Sequence, residues 1–117
     1  MRTIIKANKY IQDGFSADEA EKLLPEIKKA VLTGEPFEIN FEGVQFFTTL
    51  FFSTALTYLV GEMGDEEYKN RIHVRNLSES GEETYKHALD YSIEYYKKTS
   101  EEQEQERIIT IEEAEEL

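Results

Sequence analysis

The chain has 117 residues, enough for one ordinary domain and too few for two independent cores. Thirteen Lys and Arg stand against twenty-five Asp and Glu, a formal charge of -12 that argues against direct nucleic-acid or anionic-membrane binding. A hydrophobic content of 39%, with seven Phe and seven Tyr, excludes wholesale disorder, and the lack of cysteine excludes disulfides and thiolate metal sites.

The opening Met1-Arg2-Thr3-Ile4-Ile5-Lys6 meets charge too soon to be a signal peptide and reads as the start of a mature, cytoplasmic protein. Thr3-Ile4-Ile5 has the β-branched content of a first strand. Tyr10-Ile11 offers a second short strand before a turn at Asp13-Gly14. Ser16-Ala17-Asp18-Glu19 carries capping-box spacing, so a helix starts at Ser16. Ala20, Leu23, Leu24, Ile27 and Val31 form its buried stripe, and Gly34 stops it. Pro25 interrupts this helix, which either kinks or splits there; the unbroken phase of the stripe favours a kink.

Phe37, Ile39 and Phe41 alternate with Glu38 and Asn40 as a strand with one buried face, and Glu42-Gly43 turns the chain. Val44 to Phe47 reads as an apolar link. Thr48 or Thr49 then caps a helix over 50–63 that ends at Gly64. Its window of highest hydropathy, 46–60, is shorter than the roughly 20 residues of a spanning helix and carries several hydroxyls, so no membrane span is expected. At 100° per residue the apolar side chains from Phe51 to Met63 cover an arc of roughly 200°, leaving a stripe of Ser53, Thr54, Thr57 and Gly61. That arc exceeds what one helix face needs, so either other elements of this chain or a partner covers the remainder.

A polar connection at Glu66-Glu67-Tyr68-Lys69 leads to a strand of Ile72 and Val74, with Arg71, His73 and Arg75 outward. Ser80-Gly81-Glu82-Glu83 repeats the capping-box spacing. Tyr85, Ala88, Leu89, Ser92 and Tyr96, with Ile93 at the edge, give the third helix its buried stripe. After residue 98 the sequence turns Glu-rich. Residues 99–117 read as an acidic tail, or as a tail in which 107–111 adds an edge strand.

No catalytic residue, metal ligand or cofactor site is nominated. His73 and His87 stand alone, the glycines are scattered singly without a phosphate-binding loop, and the carboxylates lie in solvated runs. The informative run is Phe41-Glu42-Gly43-Val44-Gln45-Phe46-Phe47-Thr48-Thr49-Leu50-Phe51-Phe52: strand, glycine turn, apolar link and hydroxyls opening an apolar helix.

This run resembles the STAS fold of anti-sigma-factor antagonists, and more closely the STAS-like family of unknown function. With the helix over 16–34 and the strand and exit at Ile72-His73-Val74-Arg75-Asn76-Leu77-Ser78, the resemblance covers 3–98. It implies an α/β domain, a small STAS-like mixed sheet of about four strands with about three helices packed on it, over residues 1–98. It also implies a non-enzymatic regulatory module whose partner is a histidine-kinase-like ATPase. The docking residues so implied are Val44, Phe47, Thr48, Thr49, Leu50, Phe51, Ser53, Thr54 and Thr57. In the antagonists an Asp-Ser-Ser-Gly motif opens this helix and its second serine accepts phosphate. Here an ungapped match puts Leu50 at that position, and only a one-residue slip makes Thr49 the acceptor. Two other functions stay open: a small-ligand or nucleotide site at the helix start, and an acidic nucleic-acid mimic. The sequence leaves the oligomeric state undecided.

Overall fold

The computed structural model describes residues 3–97. The acidic segment 99–117, with its two readings as tail or edge strand, lies outside the described residues. Strand β1 (Thr3–Lys6) leads through a 3-10 turn (Ala7–Lys9) to β2 (Asp13–Gly14), helix α1 (Ala17–Leu32), β3 (Phe37–Asn40) and β4 (Gln45–Phe47). A helical stretch follows: α2 (Thr49–Phe52), a π-helical turn (Ser53–Thr57) and α3 (Leu59–Met63). Then come α4 (Asp65–Arg71), β5 (Ile72–Arg75) and α5 (Glu79–Lys97). Among the described residues no helix is long and apolar enough to cross a membrane.

The expected single mixed sheet is instead two parallel ones, ordered β1-β3-β5 and β2-β4. A strand that reaches its neighbour through a helix returns in the same direction, and α1 separates β1 from β3 as α2 to α4 separate β3 from β5. In the middle strand Phe37 and Ile39 are buried. Their partners in register include Ile5 and Ile72, also buried, whereas Ile4 on the opposite face is 54% exposed. One face of this sheet therefore meets helices and the other meets solvent.

Three expected connections turn out to be regular structure. Tyr10 and Ile11 are not a strand, because both donate their N–H groups to the Ala7 carbonyl, at 2.9 and 3.0 Å, and close the 3-10 turn. Asp13–Gly14 then runs extended beside β4 rather than turning, which makes the presumed apolar link a strand. The polar connection at 66–69 is α4: acidic residues open it, Lys69 and Arg71 close it, and both ends suit the helix dipole while Tyr68 is buried.

Ser16 caps α1 as its spacing predicts, accepting the Glu19 N–H at 3.2 Å. The reciprocal half of the box is absent, since the Glu19 carboxylate pairs with Lys22 and accepts the Gln12 N–H. These contacts, Lys22 foremost, hold Glu19 below the usual carboxylate range. The helix passes Pro25 without splitting. Both Pro25 and Glu21, whose carbonyl loses a donor there, are exposed, so solvent can satisfy that carbonyl. At α5 the capping hydroxyl is Ser78 rather than Ser80, accepting the Gly81 N–H at 3.1 Å. Tyr96, expected in the buried stripe, is 42% exposed and packs its ring on Gly61.

The π turn resolves the overly wide apolar arc. One extra residue per turn sets all later side chains back by about 100°. Thr57 rotates inward and becomes fully buried, while Glu62, which falls in the apolar arc of a regular helix, is exposed. With α1 on one side and α5 on the other, this turn is covered by the chain itself. The Thr57 hydroxyl has no hydrogen-bond partner among the described residues.

The buried Tyr68 and the half-buried Tyr85 join α4 to α5, their hydroxyls lying 2.8 Å apart. Burial pushes Tyr85 up to about 12 and, with Tyr85 beside it, Tyr68 well above its ordinary value.

Three outcomes follow from these contacts. A raised tyrosine pKa stabilises the folded state below the unfolded value, about pH 10, and that contribution fades as pH rises towards 12. Denaturant titrations across this range should show stability falling, with a shallower fall in Tyr68→Phe/Tyr85→Phe. Thr57→Val, which keeps the volume and removes the unpaired hydroxyl, should stabilise the domain by about 1 kcal/mol in urea; a loss would mean that the hydroxyl has a partner. Gly14→Ala should cost about 2 kcal/mol, because its methyl group would enter the Phe47 ring. Adding Phe47→Leu should make the two losses less than additive.

Candidate functional site

The Phe41 carbonyl accepts the Val44 N–H at 3.0 Å, and Gly43, at φ 83, takes the left-handed third position of this turn. The Asn40 Oδ1 braces it, accepting the Glu42 N–H at 2.9 Å and the Asn76 Nδ2 at 3.0 Å.

Beyond the turn the β2–β4 pairing slips by one residue: Asp13 opposes Gln45, but Gly14 opposes Phe47. Phe46 is the extra residue of this bulge and sits at φ 63, a region that bulky side chains seldom occupy. The two adjacent rings point apart. Phe46 is 61% exposed and stacks on the equally outward Phe15, with centroids 5.6 Å apart and planes at 7°. Phe47 turns inward, stacking on Phe52 at 5.2 Å and meeting Phe41 and Phe51 edge-on.

Thr48 ties this unit to the helix that follows. Its Oγ1 accepts the Phe51 N–H at 3.1 Å as the N-cap of α2 and donates to the Phe15 carbonyl at 2.7 Å. Its own N–H reaches the Gly14 carbonyl at 2.9 Å. Thr49 and Leu50 then emerge at the surface, Leu50 being 57% exposed. Facing them, α5 presents His87, Ala88 and Tyr91, and with Ser53 these residues line a cavity of about 580 Å³. A second cavity of about 310 Å³ shares Ser53 and Tyr91 and extends the groove past Tyr58 to Tyr95 and Tyr96. Among the described residues no Asp, Glu, Lys or Arg lines either one.

The sequence-derived docking set is thus divided. Val44, Phe51 and Thr57 lie in the interior, where no partner touches them without unfolding the site. Phe47 is half-buried with its ring in the aromatic cluster, and the Thr48 hydroxyl is engaged as cap and tether. Thr49, Leu50, Ser53 and Thr54 reach the surface. Phe15, Phe46, His87 and Tyr91 belong to the same region and escape the sequence reading. Tyr91 had a signal, being a large aromatic off the buried stripe of α5. Phe46 had none, because only the bulge decides which of two adjacent phenylalanines faces outward.

His73 is half-buried, its Nε2 3.1 Å from the Asn70 carbonyl, and His87 lines the groove. Among the described residues no three His, Cys, Asp or Glu side chains gather as metal ligands would.

Comparison with curated proteins and with solved structures gives no match for the chain. A family model described as a STAS-like domain of unknown function matches residues 19–82. That span begins in α1 and reaches the first turn of α5, so it takes in the glycine turn, the bulge and the whole α2 helix start. Since it covers more than half of the 117 residues, the chain belongs to the family of STAS-like domains of unknown function, DUF4325.

Proposed function

We propose that this domain is a non-enzymatic regulatory module that docks on a partner protein through Phe46, Leu50 and the groove between α2 and α5. Its expected partner is a histidine-kinase-like ATPase in the cytoplasm. The observation that carries this reading is Phe46, held outward at φ 63 and stacked on Phe15 with both rings half in solvent. An aromatic residue in a strained conformation and facing water costs stability twice, once in backbone energy and once in unburied apolar area. A partner that covers the ring recovers the second cost. Rigid aromatic anchors of this kind carry much of the energy of protein interfaces.

The ligand-site alternative draws less support, because two of the four amides at the α2 start are already used. The Thr48 N–H is taken by the Gly14 carbonyl at 2.9 Å and the Phe51 N–H by the Thr48 hydroxyl at 3.1 Å. Thr49 remains the exposed hydroxyl that a partner kinase could reach, whereas the side chain at the matched acceptor position, Leu50, takes no phosphate.

Titration calorimetry against candidate histidine-kinase-like ATPases tests the proposal. Phe46→Asp and Leu50→Asp should each weaken binding at least about tenfold, with little change in melting temperature because both side chains are exposed. Undiminished affinity in both variants would remove this face from the function. Phe51→Asp is unsuitable as a probe, since Phe51 is fully buried and its loss would unfold the domain.

A further inference from the structure

The larger sheet ends at β1, which no strand of the described residues flanks on its outer side. Hydrogen bonding further along the sheet fixes which backbone groups face that edge. The Phe41 N–H donates to the Arg75 carbonyl at 2.9 Å, so Phe41 points to β5. By the two-residue alternation of a strand, Glu38 and Asn40 point the other way, to β1. In a parallel ladder they bond to the residues flanking their register partners Ile4 and Lys6, which turns Thr3 and Ile5 inward. The N–H and C=O of Ile4 and the N–H of Lys6 are left facing outward.

A groove of about 300 Å³ runs beside this edge, between β1 and the second half of α1. Its lining includes the exposed Ile4 and Tyr10 and three lysines, Lys6, Lys9 and Lys29. Among the described residues the one acid there is Glu26, and Lys29 already holds it at 3.3 Å. Lys6 and Lys9 have no ion-pair partner among the described residues. In register Lys6 meets the uncharged Asn40, while Glu38, opposite Ile4, is taken by Arg75 at 3.6 Å. In a chain of net charge -12 this edge is a local island of positive charge.

We propose that the β1 edge binds an extended acidic segment of a partner protein, which joins the sheet as an added strand and sets Asp or Glu against Lys6 and Lys9. This surface shares no residue with the docking face at Phe46 and Leu50, so each can fail without the other. The outward backbone groups supply the ladder bonds that such a segment needs. Ile4 and Lys6 lie two residues apart and share a face, which calls for an apolar side chain and a carboxylate at the same spacing on the incoming strand. Charge selects the occupant. Lysines on a sheet edge repel a second copy, which brings the same lysines, and admit a strand of opposite charge. A short acidic segment fits within the island, because exposed charges more than about 8 Å away are largely screened at physiological salt. A nucleic acid carries its charge on past the groove, where the net negative surface repels it.

NMR titration of the full chain with the peptide Ser-Val-Thr-Glu-Val-Glu-Ser, whose first valine and two glutamates share one face, tests the proposal. The Ile4, Ile5 and Lys6 signals should shift and saturate. At about 90% saturation the Ile4 and Lys6 amides should exchange about tenfold slower than in the free chain. Lys6→Glu/Lys9→Glu, at two exposed positions, should weaken binding at least about tenfold without moving the Ile39 signal. The same peptide with lysines in place of its glutamates should bind that variant better than the parent, and Phe46→Asp should leave the titration unchanged. No response at β1 with about 2 mM peptide, or an equal response in parent and lysine variant, would overturn the proposal. Equal shifts from hepta-thymidylate would overturn it in favour of polyanions in general. Shifts at β1 on concentrating the chain alone would overturn it in favour of a second copy.

Discussion

The Phe47 ring is the contact on which the two halves of this domain depend. It stacks on Phe52, touches Phe41 and Phe51 with its edges, and lies against Gly14 and Gly81, neither of which has room for a Cβ beside it. One side chain thereby joins the small sheet, the central strand's exit, the start of α2 and the start of α5. Aromatic pairs in these geometries add roughly 0.5–1.5 kcal/mol each beyond their buried area. A close approach of this kind explains a glycine inside helix α5, where helix propensity alone would prefer alanine by about 1 kcal/mol.

That inward anchor and the outward Phe46 are two results of one backbone event. Without the bulge, strict alternation would send Phe46 and Phe47 to opposite faces of a regular strand, and the ladder would continue through both. With it, Phe46 drops out of the ladder, Phe47 regains register against Gly14, and the cost appears as a left-handed phenylalanine at the surface. The core contact and the exposed ring are therefore coupled: changing the bulge would move both.

Elements with a single strong period were legible from the residues. The Ser16 cap, the stripe of α1, the alternation of β3 and β5, and the family resemblance all rest on local patterns that tertiary contacts reinforce. What escaped notice depends on pairing or on phase. Asp13–Gly14 looks like a turn because Gly usually signals one, yet Gly is there so that Phe47 can approach. Thr57 looks outward at 100° per residue, and no residue in Ser53–Thr57 announces the π turn that carries it inward. The start of the apolar helix was legible, with Thr48 as its cap, but burial had to decide which of its side chains reach the surface. Phe51 and Leu50 are adjacent and comparably apolar, and only Leu50 is available to a partner.

The parallel topology also sets how this chain must assemble. Among the described residues no pair of strands forms a hairpin: Thr3 meets Phe37, Phe37 meets Ile72, and Asp13 meets Gln45, each across roughly 32–35 residues. Closing such loops costs chain entropy before any ladder bond repays it, so sheet formation cannot begin locally. Local helical contacts escape that cost, so the physics favours helices forming before the strands pair. During that interval the unpaired backbone of β3 is open to other chains, and the strongly negative net charge keeps like molecules apart while it waits for its neighbours.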